Sequence, residues 1–165
     1  MQSDEGKRPC ARRREAVESL ERFRAANTYG LFAVMTKSRP SLEIQGSDDG
    51  VEWKPYAFRW KPGDLARAPG WVQPHMPRLD WQMWFAALGS LRTSPWLAAL
   101  LERLLEGSAP VVDLLARNPF PERPPRTVRA VLYRYRFTTP AARAAGEGYW
   151  TREALGPYAG PASLR

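Results

Sequence analysis

Hydrophobic positions along this chain change period several times, and each change predicts an element. Leu42 and Ile44 alternate with Glu43 and Gln45, and after Ser47-Asp48-Asp49-Gly50 the run from Val51 to Trp60 resumes with Tyr56, Phe58 and Trp60 on one face. Period two is that of a half-buried strand, and Asp49-Gly50 suits the positive φ angles of a tight turn, so the pattern predicts a β-hairpin. Pro55 interrupts the second run and marks it as an edge strand or a bulge. A second alternation runs from Thr127 to Thr138, with Val131, Tyr133, Tyr135 and Phe137 facing one way and Arg134 and Arg136 the other. It predicts a long strand buried on its tyrosine side. The apolar run Leu31 to Thr36 reads as a further buried strand, and Gly148 to Arg152 as a short final one before a Gly/Pro-rich tail.

Between these strands the period becomes helical. In Pro77 to Leu88 the residues Trp81, Trp84, Phe85 and Leu88 fall at i, i+3, i+4 and i+7, a large apolar stripe expected to be buried and to organise the segments around it. Asp80 stands where an N-cap is expected. Ser94-Pro95 then opens a helix with Leu97, Leu100, Leu101, Leu104 and Leu105 on one stripe, stopped by Gly107. A third helical piece begins at Pro110, carries Val111, Val112, Leu114 and Leu115, and ends at Asn118-Pro119. A shorter helix is expected over Arg13 to Phe23, followed by a turn at Asn27-Thr28-Tyr29-Gly30, and Ala141 to Ala145 reads as a small helix or loop. Strands early and late with helices between them predict an α+β fold, an antiparallel sheet or sandwich with a three-helix insertion.

Composition narrows this picture. A chain of 165 residues, 44% hydrophobic, fits one domain with a real core. Residues 1–19 read as a basic, disordered segment and residues 20–165 as the domain. Cys10 is the single cysteine, so neither an internal disulfide nor a multi-cysteine metal site is available. The formal charge of +8 is concentrated at the two ends. No zinc-finger, RNP-type or helix-turn-helix signature accompanies it, which argues against nucleic-acid binding. Arg129, Arg134 and Arg136 on the long strand form a candidate surface for anionic ligands or carbohydrate, weighed against a merely solvated face.

Catalytic patterns are missing. There is no GxSxG elbow, HExxH pair, phosphate-binding loop or dinucleotide fingerprint, and the lone histidine, His75, sits among prolines. Asp48 and Asp49 lack the further oxygen ligands of a calcium loop. No enzyme, metal or cofactor is expected. The first residues carry charge rather than an apolar signal sequence, and no run approaches the roughly 18 apolar residues of a spanning helix, so the chain as written is expected to be soluble.

Five stretches, taken together and in order, resemble the lipase maturation factor family in its C-terminal globular region. They are NTYGLFAVMT (Asn27 to Thr36), EIQGSDDGVEWKPYAFRWKPGDL (Glu43 to Leu65), PRLDWQMWFAALG (Pro77 to Gly89), LLEGSAPVVDLLARNPFP (Leu104 to Pro121) and VRAVLYRYRFT (Val128 to Thr138). Within them Asn27, Tyr29, Gly30, Asp48, Asp49, Gly50, Trp53, Asp80, Trp81 and Trp84 carry the motif positions. The resemblance implies a non-enzymatic, chaperone-like maturation factor whose clients are lipases. It also implies a membrane-embedded parent, in the endoplasmic reticulum in animals, through a spanning portion that this chain lacks. The EIQGSDDGVEW stretch is in addition similar to the hairpin of discoidin-like β-sandwiches, a likeness that implies a sandwich with a helical insertion. The alternative function is a carbohydrate or anionic-ligand binding module using the β face and its arginines.

Overall fold

The computed structural model describes residues 38–72 and 76–164. The expected helix over Arg13 to Phe23, the Asn27, Tyr29 and Gly30 turn, the strand from Leu31 to Thr36, Cys10 and His75 all lie outside these residues. Four strands, β1 (Pro40–Ser47), β2 (Lys54–Pro55), β3 (Thr127–Phe137) and β4 (Trp150–Ala162), form one antiparallel sheet in the order β2-β1-β3-β4. Between β2 and β3 come α1 (Arg78–Ala86), a 3₁₀ turn (Leu91–Thr93), α2 (Pro95–Leu105) and the short α3 (Ala109–Val112); α4 (Pro140–Ala144) joins β3 to β4. The class is α+β with an antiparallel sheet.

β1 and β3 pair without interruption from Pro40 with Arg134 to Ser47 with Thr127. Alternation then sends Leu42, Ile44, Val128, Ala130 and Leu132 to one face, where they meet the leucines of α2. That helix forms as its spacing predicts. Pro95 occupies the first turn, and Leu97, Leu100, Leu101, Leu104 and Leu105 are all buried. It ends in a Schellman motif: Gly107, at φ 69°, donates to Leu104 O, and Ser108 N donates to Arg103 O.

Four expectations need correction. The hairpin exists, but β2 has only two residues, and a six-residue loop from Asp48 to Trp53 replaces the tight turn. Ser47 and Asp49 side chains, rather than the backbone of a two-residue turn, hold that loop: Asp49 Oδ1 accepts from Val51 N and Glu52 N, and Ser47 Oγ accepts from Gly50 N. On β3 the alternation is present, yet the fully buried residues are Val128 and Ala130, which share their face with Arg134 and Arg136. Both sides of this strand are covered, the Val128 side by α2 and the Tyr135 end by Trp150, so alternation alone could not name the core side.

The third correction concerns α1. It begins after Pro77 with no side-chain cap, so Asp80 lies within its first turn. Its buried stripe is Asp80, Met83 and Ala86, about one residue away from the aromatic stripe, while Phe85 and Leu88 are exposed. The small side chains at Ala86 and Ala87 let the helix approach closely, as the bond from Tyr158 Oη to Ala86 O at 2.7 Å records. Bulky rings on that side would hold it away. Fourth, the Gly/Pro-rich tail is strand: β4 runs for 13 residues and absorbs its irregular composition through three register shifts against β3. With Pro157 and Pro161 on β4 and Pro55 on β2, both edges of the sheet are poor templates for another strand.

Candidate functional site

One end of the sheet gathers residues that are far apart in the chain. Here β1 begins (Arg39 to Ser41), β3 ends (Tyr135, Phe137) and β4 begins (Trp150), and the loop from Trp60 to Val72 closes over them beside α1. Together they enclose a cavity of about 270 Å³ walled by six aromatic rings, those of Trp60, Trp81, Trp84, Tyr135, Phe137 and Trp150.

The loop is held by polar contacts made mostly to its backbone. Trp150 Nε1 donates to Arg67 O at 2.9 Å, Leu65 O accepts from both Tyr149 N and Trp150 N, and the Arg67 guanidinium donates to Arg59 O. Asp80 supplies the anchor from the helix side, with Oδ1 accepting from Trp60 N at 2.9 Å and Lys61 N at 3.0 Å. The residue expected to cap α1 instead fixes the loop that roofs the cavity.

Phe137, in the cavity wall, is 55% exposed; Phe85, 42% exposed, packs with Trp81 and Trp84 of the wall with centroids 5.2 to 5.4 Å apart; and Trp71, 92% exposed, stands between Gly70 and Val72 of the closing loop. Exposed side chains of this size on and beside one cavity are of the kind that marks an interaction surface.

Beside the cavity runs a polar ladder on the second face of the sheet, buried at Glu43 and Gln45 and open at its arginines. Glu43, only 5% exposed, accepts from Arg152 Nη1 and from Gln45 Nε2, and Gln45 Oε1 accepts from Arg129 Nε at 2.8 Å. Arg129 lies over the Trp53 ring at 3.9 Å and Arg152 over Tyr133 at 4.8 Å. Lys61 closes this group, stacked on Phe58 at 4.9 Å. Burial pulls its ammonium down to about 8, against the attraction of Glu43 and Asp80 and with the repulsion of Arg152.

A pH dependence follows. Between about 8 and the ordinary value of 10.5, the unfolded chain keeps a proton on Lys61 that the folded chain has released, so stability rises with pH through the lower part of that window. Above 10.0 Tyr56, pushed up to about 12 by burial, acts in the opposite sense because the unfolded chain ionises first. The urea midpoint is expected to increase from about pH 7.5 to about pH 9.5, and Lys61→Met to flatten the increase. The same rise in both proteins would disprove the role given to Lys61.

The sequence-derived candidates are distributed unevenly over this geometry. Arg129 projects from the opposite face of β3 to Arg134 and Arg136, and it is engaged with Gln45 and Trp53. Arg134 pairs with Glu153 at 3.2 Å, and Arg136 is exposed. Trp53 Nε1 donates to Gly50 O, and Asp48 faces Arg123 at 3.5 Å, so these hairpin residues belong to the loop's own architecture. Asp80, Trp81 and Trp84 line the cavity. Sequence reasoning missed Glu43, Lys61, Arg152 and Trp150. A glutamate on a strand and an isolated lysine carry no local mark; only the pairing of distant segments makes them a cluster. Among the described residues no group of His, Cys, Asp or Glu is placed to hold a metal ion, and no helix is long and apolar enough to cross a membrane.

Residues 25–160 match the family model of the lipase maturation factor C-terminal domain. Lipase maturation factor 2 of Homo sapiens is 47% identical over 140 residues, which cover 81% of this chain and 19% of that protein. Lipase maturation factor 1 of Bos taurus is 43% identical over 153 residues, or 88% of this chain and 27% of that protein. The chain thus spans only a minor part of the length of these relatives. No solved structure matches. The family model takes in the sheet, the helices and the aromatic cavity alike, and the chain belongs to the lipase maturation factor family.

Proposed function

We propose that this domain is a non-enzymatic client-binding module that assists the folding or assembly of lipases, and that it takes hold of partly folded clients through the exposed aromatic side chains on and beside the cavity. The observation that carries this reading is the exposure of Phe137 in the cavity wall, of Phe85 packed on the wall residues Trp81 and Trp84, and of Trp71 in the loop that closes the cavity. A partly folded lipase exposes apolar segments, and rigid aromatic side chains provide contact area with little loss of rotamer freedom. The name of the relatives supplies the client class. In the same reading the domain works at the endoplasmic reticulum membrane together with a spanning portion such as the family carries.

A dimeric lipase, chemically denatured, is diluted into buffer with a stoichiometric amount of this chain or with an inert protein of equal charge. A higher recovered activity with this chain alone is the expected result. Equal recovery with both additives, from a chain shown to be folded, would refute client binding by the isolated domain.

A further inference from the structure

A second recess lies between α1 and the start of α2. Its volume is about 510 Å³, and it shares only Trp81 with the aromatic cavity. Arg78, Trp81, Gln82 and Phe85 line it at i, i+3, i+4 and i+7 along α1, and Trp96 lines it from the first turn of α2. A further groove of about 270 Å³ adjoins it at Arg78 and Gln82 and adds Arg59, Leu79 and Leu114. Apolar surface stands open along both, since Phe85 and Leu114 are exposed.

Charge along these walls has one sign. No acidic residue lines either recess. Arg78 is exposed, and among the described residues its side chain takes part in no ion pair or hydrogen bond. The same holds for Arg92, next in the chain to Thr93 of the recess wall. Arg59 donates to the carbonyls of Asp113 and Leu115, which leaves its charge unneutralised. Aromatic rings under a positive field suit a partner that is apolar and negatively charged at once.

Gln82 separates a peptide from a lipid. Its side-chain amide, half-buried and without a hydrogen bond among the described residues, offers a donor and an acceptor side by side, the pair that a peptide group presents in return. An acyl chain laid in the recess would cover that amide and leave it unpaired, which costs free energy, whereas a peptide backbone would satisfy it.

Resting on the reading that this domain binds clients, we propose that the recess between α1 and α2 receives an acidic apolar peptide segment of the client. An aromatic or aliphatic anchor enters beside Trp81, Phe85 and Trp96, its backbone pairs with Gln82, and a neighbouring carboxylate meets Arg78. The domain thereby selects unfolded segments whose apolar residues are flanked by aspartate or glutamate, and it disfavours those flanked by lysine.

The test titrates the whole chain into short fluorescein-labelled peptides of two kinds, read by anisotropy. Both carry phenylalanine and leucine anchors; the flanking positions hold aspartate and glutamate in one and lysine in the other. Vesicles of phosphatidylcholine with phosphatidylserine form the lipid arm. The acidic peptide is expected to bind saturably and about tenfold tighter than the lysine peptide at low ionic strength, with the ratio shrinking in added salt. Arg78→Glu, at an exposed position, is expected to erase or invert that ratio, and Phe85→Ser to weaken both peptides, with urea midpoints showing that each variant is folded. Absence of peptide binding, equal affinity for the two peptides, an acidic preference unmoved in Arg78→Glu, or binding to vesicles alone overturns the proposal. Recovery of the denatured lipase is measured alongside. Raised recovery with no charge preference among peptides removes this recess and leaves client binding standing; absent recovery removes client binding, and the peptide titration decides the recess by itself.

Discussion

Asp80→Ala is expected to cost the domain about 3 to 5 kcal/mol, a large part of the stability of a chain this size. The substitution removes one oxygen that accepts from two backbone N–H groups, those of Trp60 and Lys61. Hydrogen bonds to a charged acceptor contribute more than neutral ones, and both donors would be left without partners inside the fold. Lys61 would also lose one of the two carboxylates whose attraction offsets its desolvation. Asp80→Asn retains the acceptor and is expected to recover most of the loss. Urea midpoints of the two variants decide the matter. If alanine and asparagine destabilise equally, the buried charge rather than the bonds to the loop is what matters. If neither destabilises, the anchoring role of Asp80 is wrong.

Gly148→Ala is expected to be comparably damaging for a different reason. Gly148 has φ 83°, in the left-handed region that residues with a Cβ avoid. An added Cβ would also fall 2.7 Å from Leu65 O and 3.1 Å from Ala66 Cα, both backbone atoms that cannot rotate away. Leu65 O is the carbonyl that accepts from Tyr149 N and Trp150 N, so relieving the clash would pull the loop off β4. A loss of about 3 kcal/mol combines the left-handed penalty with the displaced contacts. Gly160→Ala is the matched control, since a Cβ there meets nothing within 4 Å, and it is expected to leave the midpoint nearly unchanged. Equal midpoints for the two alanine variants would contradict the packing described around Leu65.

Much of the scaffold could be read from local patterns. The α2 leucines were legible because one face of that helix is buried and the other is not, the condition under which a 3.6 period is diagnostic. Strand β3 was legible as a strand but not by its core side, because Val128 on one face and Tyr135 on the other are both buried. Trp81, Trp84 and Phe85 misled for a related reason. Size and hydrophobicity point inward on average, but the inward stripe of α1 is Asp80, Met83 and Ala86, and the large rings lie on its flank. The Gly/Pro-rich end of the chain was read as a tail although bulges let it run as β4. The cavity was not legible at all, since it joins residues from Arg39 to Trp150 whose proximity is fixed only when β1, β3 and β4 pair.

The central claim is that the open aromatic patch holds the client. Trp71→Ser combined with Phe85→Ser removes two exposed rings from the patch and leaves the core and the Asp80 anchor in place. The variant is compared with the unmodified chain in the recovery of a denatured dimeric lipase, after equal urea midpoints have shown that both are folded. The recovered activity is expected to fall to the level of the inert protein of equal charge. Undiminished recovery with the doubly substituted chain would contradict the account and move the client surface elsewhere on the domain.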